Sequence, residues 1–440
     1  MPVSRAPRNH ETPPRSKDAQ IAEAVGLARA INLKVVDALA TPLTTPRPGT
    51  LFGSGKVEEV AAQIRAEAIK LVVVDHPLSP IQQRNLEKAW HSKVIDRTGL
   101  ILEIFGERAQ TREGRLQVEL AHLTYQRSRL VRSWTHLERQ RGGFGFLGGP
   151  GETQIEADRR ALAERIDRIK VELAAVSTRR RLQRRTRQRS ETPLVALVGY
   201  TNAGKSTLFN ALTESAVLSQ DKLFATLDPT LRRLSLPDGA NVVLSDTVGF
   251  VADLPTSLVA AFRATLEEVS EADLILHVRD IADAETEAQA ADVASVLADL
   301  DVDVKDADRV IEVWNKIDLL PPDQQPPRRV AHSLGEGAAG PTVVSVSAIS
   351  GEGLPDLLDV IEDRITATST VYDVEIAADE TARLHRLYAF GDVVHREDRP
   401  DGTVLARVRV RPSSLKPFAE AFNRAHVVSR SEQPAATLDA

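Results

Sequence analysis

The sequence predicts a mixed α/β fold that is divided into several domains. The chain has 440 residues, which is more than one ordinary domain contains. Short apolar runs alternate with helical stretches in two separate blocks, and this alternation is typical of parallel α/β sheets. The region between the two blocks instead repeats its apolar residues at heptad spacing, which indicates paired helices.

The composition is that of an ordinary globular protein. Hydrophobic residues make up 42% of the chain and charged residues 27%. There is no cysteine, which excludes disulfides, thiolate nucleophiles and cysteine-ligated metals and favours a cytoplasmic location. No run approaches the roughly 18 apolar residues of a membrane span. Residues 1–19, rich in proline and basic residues, predict a disordered leader and not a secretory signal.

The first α/β block covers residues 20–110. Its strands are predicted at Leu33–Leu39, Leu71–Asp75 and Lys93–Asp96, and its helices at Val57–Ile69 and Ile81–Trp90. The segment Gly53–Lys56 reads GSGK and is similar to a phosphate loop, but it lacks the spacing of one. A helix N-terminal turn or a contact with RNA phosphate is the favoured interpretation, and a second nucleotide site is the alternative.

Residues 111–190 predict an antiparallel helical hairpin. Two heptad stripes flank the segment Gly142–Gly151, whose six glycines in ten residues interrupt a helix. The hairpin is basic, because Arg112–Arg189 holds 19 Arg and Lys against 9 Asp and Glu in a chain of net charge −6. This charge predicts an anionic partner, and a solvated helical face is the alternative.

The second α/β block, residues 191–366, begins with a phosphate-binding motif. Gly199–Ser206 reads GYTNAGKS and fits G-x-x-x-x-G-K-S/T between a predicted strand and a predicted helix. The backbone N–H groups of such a loop face phosphates at a helix N-terminus. Lys205 is expected to reach the β- and γ-phosphates, and the hydroxyl of Ser206 is expected to ligate Mg²⁺.

Three later segments complete a nucleotide site. Asp246–Gly249 reads DTVG after an apolar strand, so its acid can hold Mg²⁺ and its glycine N–H can meet the γ-phosphate. Asn315–Asp318 reads NKID, and the carboxylate of Asp318 can accept two N–H bonds from guanine, which adenine does not offer. Val344–Ala348 ends in small residues that can close over the base. The order of these motifs predicts a P-loop GTPase domain.

Residues 367–430 predict a small α+β domain, and residues 431–440 a tail. Strands are expected at Tyr372–Ile376 and Val404–Val410, and helices at Thr381–Leu387 and Ser414–Arg424.

The four GTPase motifs resemble the translation-factor-related GTPases. Five further segments narrow this to a resemblance with the HflX family of ribosome-associated GTPases, namely Leu51–Lys56, Asp96–Leu102, Gly149–Gln154, Phe224–Thr230 and Asp246–Phe250. The resemblance covers nearly the whole chain. One departure lies in the glycine-rich loop, where Gly148 stands at a position that is often Arg in the family.

The resemblance implies a GTP-hydrolysing switch that binds the large ribosomal subunit and its rRNA through the first block and the hairpin. Family members are associated with separating ribosomal subunits under stress, so splitting, rescue or biogenesis is the expected process. A monomer that is cytoplasmic and partly ribosome-associated is expected. Thr226 becomes the switch threonine that ligates Mg²⁺, and Thr230 is its rival.

Catalytic roles are expected for Lys205, Thr226 and Gly249, and Mg²⁺ ligation for Ser206, Thr226 and Asp246. The residues expected to bind nucleotide are Gly199, Tyr200, Thr201, Asn202, Ala203, Gly204, Lys205, Ser206, Thr207, Phe224, Ala225, Thr226, Leu227, Asp228, Asp246, Thr247, Val248, Gly249, Asn315, Lys316, Asp318, Val346, Ser347 and Ala348.

Two positions in the site have open interpretations. Phe250 stands where many GTPases carry a water-orienting Gln, so intrinsic hydrolysis should be slow or another group must act. The same Phe can also be a plain hydrophobic switch contact. Asn202 either stabilises the turn of the phosphate loop or helps to hold a K⁺ ion.

Overall fold

The computed structural model describes residues 15–43, 45–140, 150–189, 192–213, 223–224, 226–252, 263–334, 338–367, 369–410 and 414–422. In this part of the chain no helix is long and apolar enough to cross a membrane. The prediction of a disordered leader over residues 1–19 is wrong for residues 17–19, which are helical. Helix α1 begins at Lys17, because the side chain of Ser16 accepts a hydrogen bond from the N–H of Ala19 and caps the helix.

The N-terminal unit is a small α/β layer. Its elements are α1 (Lys17–Ala30), α2 (Ser54–Ala66), β1 (Leu71–Val74), α3 (Pro80–Trp90), β2 (Lys93–Asp96) and α4 (Arg97–Arg108). Strands β1 and β2 are parallel. The strand predicted at Leu33–Leu39 is wrong, since these described residues form no strand. A short apolar run is compatible with an extended chain, but a strand also needs a neighbour to pair with.

The hairpin consists of α5 (Arg112–Gln140) and α6 (Pro150–Arg189). Ion pairs join Arg112 to Glu172 and Glu119 to Arg165. Because the later residue of α5 pairs with the earlier residue of α6, the two helices are antiparallel, as predicted. The predicted glycine-rich loop lies outside the described residues except for Pro150 and Gly151. These two residues open α6, where proline is well tolerated because the first helical N–H needs no partner within the helix.

The middle of helix α5 is fixed to the N-terminal unit through Asp96. Its carboxylate accepts hydrogen bonds from the hydroxyl of Tyr125 at 2.6 Å and from Arg129 at 2.5 Å, both on α5. The same carboxylate caps α4 by accepting from the N–H of Gly99 at 2.8 Å. The motif that begins at Asp96 is therefore a structural joint.

The GTPase unit contains a seven-stranded sheet within the described residues, in the order β4-β5-β3-β6-β7-β9-β8. Its strands are β3 (Leu194–Gly199), β4 (Thr230–Ser235), β5 (Asn241–Asp246), β6 (Leu274–Asp280), β7 (Val310–Asn315), β8 (Arg329–Leu334) and β9 (Ala338–Ser345). The flanking helices are α7 (Lys205–Thr213), α8 (Arg263–Ser270), α9 (Thr286–Ala298) and α10 (Leu354–Thr366). Only the edge strands β4 and β8 pair antiparallel in this sheet. Ligands of such sheets bind at the carboxyl ends of the parallel strands.

The C-terminal unit contains strands and helices, as predicted for a small α+β domain, and its sheet is antiparallel. It contains β10 (Thr370–Ile376), α11 (Leu384–Phe390), β11 (Gly391–Asp398), β12 (Val404–Val410) and α12 (Leu415–Ala421), with β12 in the centre. The strand β11 was not predicted. The helix expected at Thr381–Leu387 is instead a 3-10 helix, Ala378–Arg383, followed by α11.

Candidate nucleotide-binding site

The phosphate loop requires both of its glycines. Gly199 (φ +152°) and Gly204 (φ +90°) have backbone conformations that residues with a side chain rarely adopt. A Cβ at Gly199 would collide with the carbonyl of Val278, and one at Gly204 would collide with the side-chain amide of Asn315. Asn202 is also left-handed, at φ +62°, a conformation that Asn tolerates better than most residues. The loop therefore follows the path that its motif predicts.

Lys205 lies buried inside this loop. Its Nζ donates hydrogen bonds to the carbonyls of Gly199, at 3.1 Å, and Tyr200, at 2.9 Å. Burial lowers the pKa of Lys205 to about 8, and the nearby carboxylate of Asp246 opposes the shift. A Cβ placed on Gly249 would lie 3.1 Å from the same Nζ. The lysine and the glycine of the DTVG motif thus meet at one point, as both need to do if they contact the same phosphate.

Three oxygen atoms converge beside the loop. Oδ2 of Asp246 accepts hydrogen bonds from the hydroxyls of Ser206, at 2.7 Å, and Thr226, at 2.8 Å, and those hydroxyls are 2.8 Å apart. The other carboxylate oxygen of Asp246 is buried without a hydrogen-bond partner among the described residues. Burial raises the pKa of Asp246, against the hydrogen bonds from the two hydroxyls. Clustered oxygens with one unsatisfied acceptor fit a hard divalent cation such as Mg²⁺.

The geometry also distinguishes the two candidate threonines. Thr226 places its hydroxyl in this oxygen cluster, whereas Thr230 begins strand β4 and lies opposite Asp246 in the antiparallel ladder. Thr230 is thus part of the sheet, and Thr226 is the threonine whose hydroxyl lies beside Ser206 and Asp246.

Asn315, at the end of β7, connects the phosphate loop to the segment Val344–Ala348, which is expected to close over the base. Its side chain contacts the backbone of both Ala203 and Ala348. Lys316 adopts a left-handed conformation and forms an ion pair with Asp280 at 2.7 Å. Asp318 lies exposed in the 3-10 helix that follows, so its carboxylate is accessible to a base. Val346 and Ser347 are buried beside this segment.

Phe250 packs as a buried hydrophobic residue beside the phosphate loop. It is buried, and its backbone pairs with the phosphate loop, since its N–H donates to Gly199 at 3.1 Å and its carbonyl accepts from Thr201 at 2.7 Å. Two residues further on, the N–H of Ala252 donates to the hydroxyl of Tyr200 at 2.8 Å. The segment after the DTVG motif is therefore held against the phosphate loop.

Sequence reasoning missed two residues of the N-terminal unit that contact this segment. Arg97 donates to the carbonyl of Ala252 at 2.9 Å and forms an ion pair with Glu23. Glu23 in turn accepts a hydrogen bond from the hydroxyl of Tyr200. Burial alone would raise the pKa of Glu23, but Arg97, the Tyr200 hydroxyl and Arg15 hold it below its ordinary value. The motif beginning at Asp96 contained Arg97, but no local signal indicated its distant partner.

The remaining predicted positions lie in four different places. Thr247, Val248, Phe224 and Leu227 are buried around the site. Ala225 lies outside the described residues, and Thr207 is in the first turn of α7. Asp228 is turned toward the hairpin, where its carboxylate accepts hydrogen bonds from Gln110 and Thr111.

The fold and this arrangement of motifs define a P-loop GTPase. The GTPase HflX of Magnetococcus marinus is 50% identical over 89% of this chain and 88% of its own length, and that of Escherichia coli is 42% identical over 90% and 91%. The chain belongs to the HflX family of GTPases, and its reaction is the hydrolysis of GTP.

Family models match successive parts of the chain. They are GTP-binding GTPase N-terminal at residues 18–106, GTP-binding GTPase Middle Region at 108–187, 50S ribosome-binding GTPase at 194–316 and HflX C-terminal domain at 335–424. Among solved structures, a GTP-binding protein from Sulfolobus solfataricus in complex with GDP is 23% identical, with 80% of this chain and 97% of that chain covered and a TM-score of 0.44.

Proposed function

We propose that this GTPase is a switch that binds the large ribosomal subunit through its hairpin and N-terminal unit and acts in subunit splitting, rescue or biogenesis. The observation that carries the proposal is the basic hairpin. Its helices of 29 and 40 residues measure about 43 and 60 Å at the usual rise of an α-helix. Residues 156–161 of α6 are all exposed, so this part of the hairpin is available to a partner. The matching family description, 50S ribosome-binding GTPase, supports the same partner.

The anionic partner of such a hairpin is RNA phosphate. Residues 178–190 contain seven arginines and no acid. Phosphate neutralisation by Arg and Lys makes affinity fall steeply with salt concentration. Binding through the hairpin should therefore weaken strongly between low and moderate salt.

Hydrolysis is assigned to the residues at the carboxyl edge of the sheet. Ser206, Thr226 and Asp246 would hold Mg²⁺, which neutralises phosphate charge when bound. Lys205 binds the β- and γ-phosphates, and the N–H of Gly249 orients the γ-phosphate. Phe250 cannot polarise water, so intrinsic turnover is slow and a group supplied by the large subunit or by another part of the chain completes the site.

The role of Asn202 is assigned to the turn of the phosphate loop. Its left-handed backbone at φ +62° accounts for an Asn at this position. A K⁺ ion held by its side chain is the alternative. Exchange of Na⁺ for K⁺ at constant ionic strength would raise the rate of GTP hydrolysis only if the alternative holds.

A co-sedimentation experiment tests the ribosome proposal. The full chain is centrifuged with purified large subunits in GDP or a non-hydrolysable GTP analogue, and GTP hydrolysis is measured with and without subunits. Changing Arg184 and Arg185 on α6 to Gln should weaken both sedimentation and stimulation, while nucleotide affinity stays the same. The same change at Arg396 and Arg399 in the C-terminal unit removes equal charge and should have little effect. Unaltered binding by the α6 variant would show that the hairpin arginines only solvate its surface.

Stimulation also separates the proposal from its main alternative, a GTP-dependent assembly factor for another RNA or protein. A switch that acts on the large subunit should hydrolyse GTP faster when large subunits are present. Equal rates with and without them would favour the alternative.

A further inference from the structure

The segment that carries Thr226 presents alternate residues to opposite sides. Thr226 directs its hydroxyl to Ser206 and Asp246 in the oxygen cluster. Phe224 and Asp228, two residues away on either side, contact the N-terminal unit and the start of the hairpin instead. In an extended chain these three residues would share one face, so the segment is not a regular strand, and Phe224 has a left-handed backbone with φ +57°.

Asp228 is bound at the start of helix α5. Its Oδ2 accepts hydrogen bonds from the N–H groups of Gln110 and Thr111, both at 2.8 Å, and its Oδ1 accepts one from the hydroxyl of Thr111. A carboxylate is stabilised at a helix N-terminus, where the free N–H groups carry partial positive charge.

Gly114 lets Asp228 come this close. It lies in the first turn of α5, where glycine is less favourable than alanine by about 1 kcal/mol. A Cβ on Gly114 would collide with Oδ1 of Asp228 and would lie 3.2 Å from its Cγ. A glycine at position 114 is therefore explained by the close approach of the Asp228 carboxylate.

Contacts on the other side of Thr226 fix the same segment. The ring of Phe224 meets the ring of Phe105 on α4 edge to face, with centroids 4.8 Å apart, and both rings are buried. Leu223 lies against Gly26 of α1, where an added Cβ would be 3.0 Å from its Cδ1. Thr226 is thus held between two anchored neighbours, both of them anchored outside the GTPase unit.

We propose that Phe224 and Asp228 are positioning residues that present Thr226 to Mg²⁺, so that the first turn of the hairpin sets part of the Mg²⁺ affinity of the GTP-bound site. The inference rests on the proposed ligand set Ser206, Thr226 and Asp246. Coupling between two sites is reciprocal, so a change at the base of α5 must alter Mg²⁺ binding, and Mg²⁺ binding must alter the base of α5.

Two glycine-to-alanine variants test the inference in the full chain. Gly114→Ala displaces Asp228 without changing charge. Gly106→Ala is the matched control, because Gly106 also lies in a helix, and an added Cβ there makes only an ordinary contact, at 3.8 Å from Nε2 of His122. Both changes favour their helices, so loss of folding is not the expected effect. The measurement is a Mg²⁺ titration of the binding of a fluorescent non-hydrolysable GTP analogue.

Gly114→Ala should raise the Mg²⁺ concentration at half-saturation by about tenfold, within the usual range of coupling between sites. GDP binding in EDTA should not change, and Gly106→Ala should match the original chain in both assays. The double variant Gly114→Ala/Asp228→Ala should be no worse than Asp228→Ala alone, because the alanine methyl then has no carboxylate to displace.

The outcomes separate the inference from the function on which it rests. If the original chain binds the analogue equally well with and without Mg²⁺, the proposed metal site is wrong. If the original chain depends on Mg²⁺ and Gly114→Ala behaves like Gly106→Ala, the metal site stands and the positioning role of Asp228 is overturned.

Discussion

The side-chain amide of Asn315 donates a hydrogen bond of 2.9 Å to the main-chain carbonyl of Ala203 in the phosphate loop. Its oxygen accepts a bond of 3.1 Å from the N–H of Ala348. One buried side chain therefore ties the phosphate loop to the two loops that face the base. The phosphate loop and the segment that is expected to read the base therefore share a single support, and the exposed Asp318 follows it in the chain.

Asp318→Asn should shift base preference from guanine toward xanthine. The carboxylate that accepts two N–H bonds is replaced by an amide that also donates, so guanine leaves donors unpaired and xanthine offers an acceptor instead. Competition binding with GTP and XTP measures the change, and GTP affinity should fall at least about tenfold. Asp323→Asn, in the neighbouring 3-10 helix, is the control. An unchanged preference for GTP would refute the assignment of Asp318.

Ser206→Ala should weaken nucleotide binding only when Mg²⁺ is present. The hydroxyl lies 2.7 Å from Oδ2 of Asp246 and supplies one of the three proposed ligands. Binding of GTP analogue in EDTA should be nearly unaffected, because the phosphates are still held by Lys205 and the loop N–H groups. Lys205→Ala is the contrasting variant and should lose binding in both conditions, together with turnover. Equal Mg²⁺ dependence in Ser206→Ala and the original chain would contradict the ligand set.

The site was predictable from sequence because its requirements are local. Gly199, Gly204 and Lys205 lie in one eight-residue motif whose backbone path depends on those residue types. The order of elements in the GTPase unit follows from its apolar runs in the same way. The choice between Thr226 and Thr230, however, depended on which hydroxyl reaches Asp246, and only the three-dimensional contacts decide that.

Contacts between units were not predictable. Glu23 and Tyr200 are separated by 177 positions in sequence, and each is an ordinary residue in its local pattern. Gly114 is by its type unfavourable in a helix, and the steric reason for it is the carboxylate of Asp228, which is distant in sequence. The short apolar run Leu33–Leu39 predicted a strand that does not form, because a local pattern is present but a pairing neighbour is not.

His277→Gln should make the chain less sensitive to acid. Burial in strand β6 lowers the pKa of His277 to about 4, with Arg279 and Lys205 acting in the same direction and Glu312 opposing them. The unfolded chain binds a proton at His277 below its ordinary pKa of about 6.5, whereas the folded chain does so only near pH 4. Stability contributed by this group is therefore lost as the pH falls from about 6.5 to about 4.

The measurement for His277 is the midpoint of thermal unfolding between pH 7 and pH 4.5. The difference between the original chain and His277→Gln isolates this residue from Glu23, which also loses its stabilising effect in acid. This difference in the pKa of His277 between the unfolded and folded chain corresponds to at most about 3 kcal/mol in the free energy of unfolding. His385→Gln, at an exposed position of α11, should leave the pH profile unchanged. Parallel profiles for all three proteins would show that His277 is not the source of acid sensitivity.

Arg409→Met should loosen the C-terminal unit from the GTPase unit. Arg409 on β12 forms ion pairs at 3.3 Å with Glu362 on α10 and at 3.4 Å with Asp238, in the turn between β4 and β5. The side chain of Glu362 is 7% exposed and that of Asp238 is 65% exposed. Removing the arginine therefore leaves one buried charge without its partner, which typically costs about 3–5 kcal/mol, while the exposed pair is worth less than about 1 kcal/mol.

Two further variants distinguish these contributions in the same unfolding experiment. Asp238→Asn removes only the exposed partner and should change the unfolding midpoint little. Glu362→Gln keeps the hydrogen-bonding shape and removes the buried charge, so adding Arg409→Met to it should be much less harmful than Arg409→Met alone. If Arg409→Met is equally destabilising with Glu362 and with Gln at that position, the buried ion pair is not what fastens the two units together.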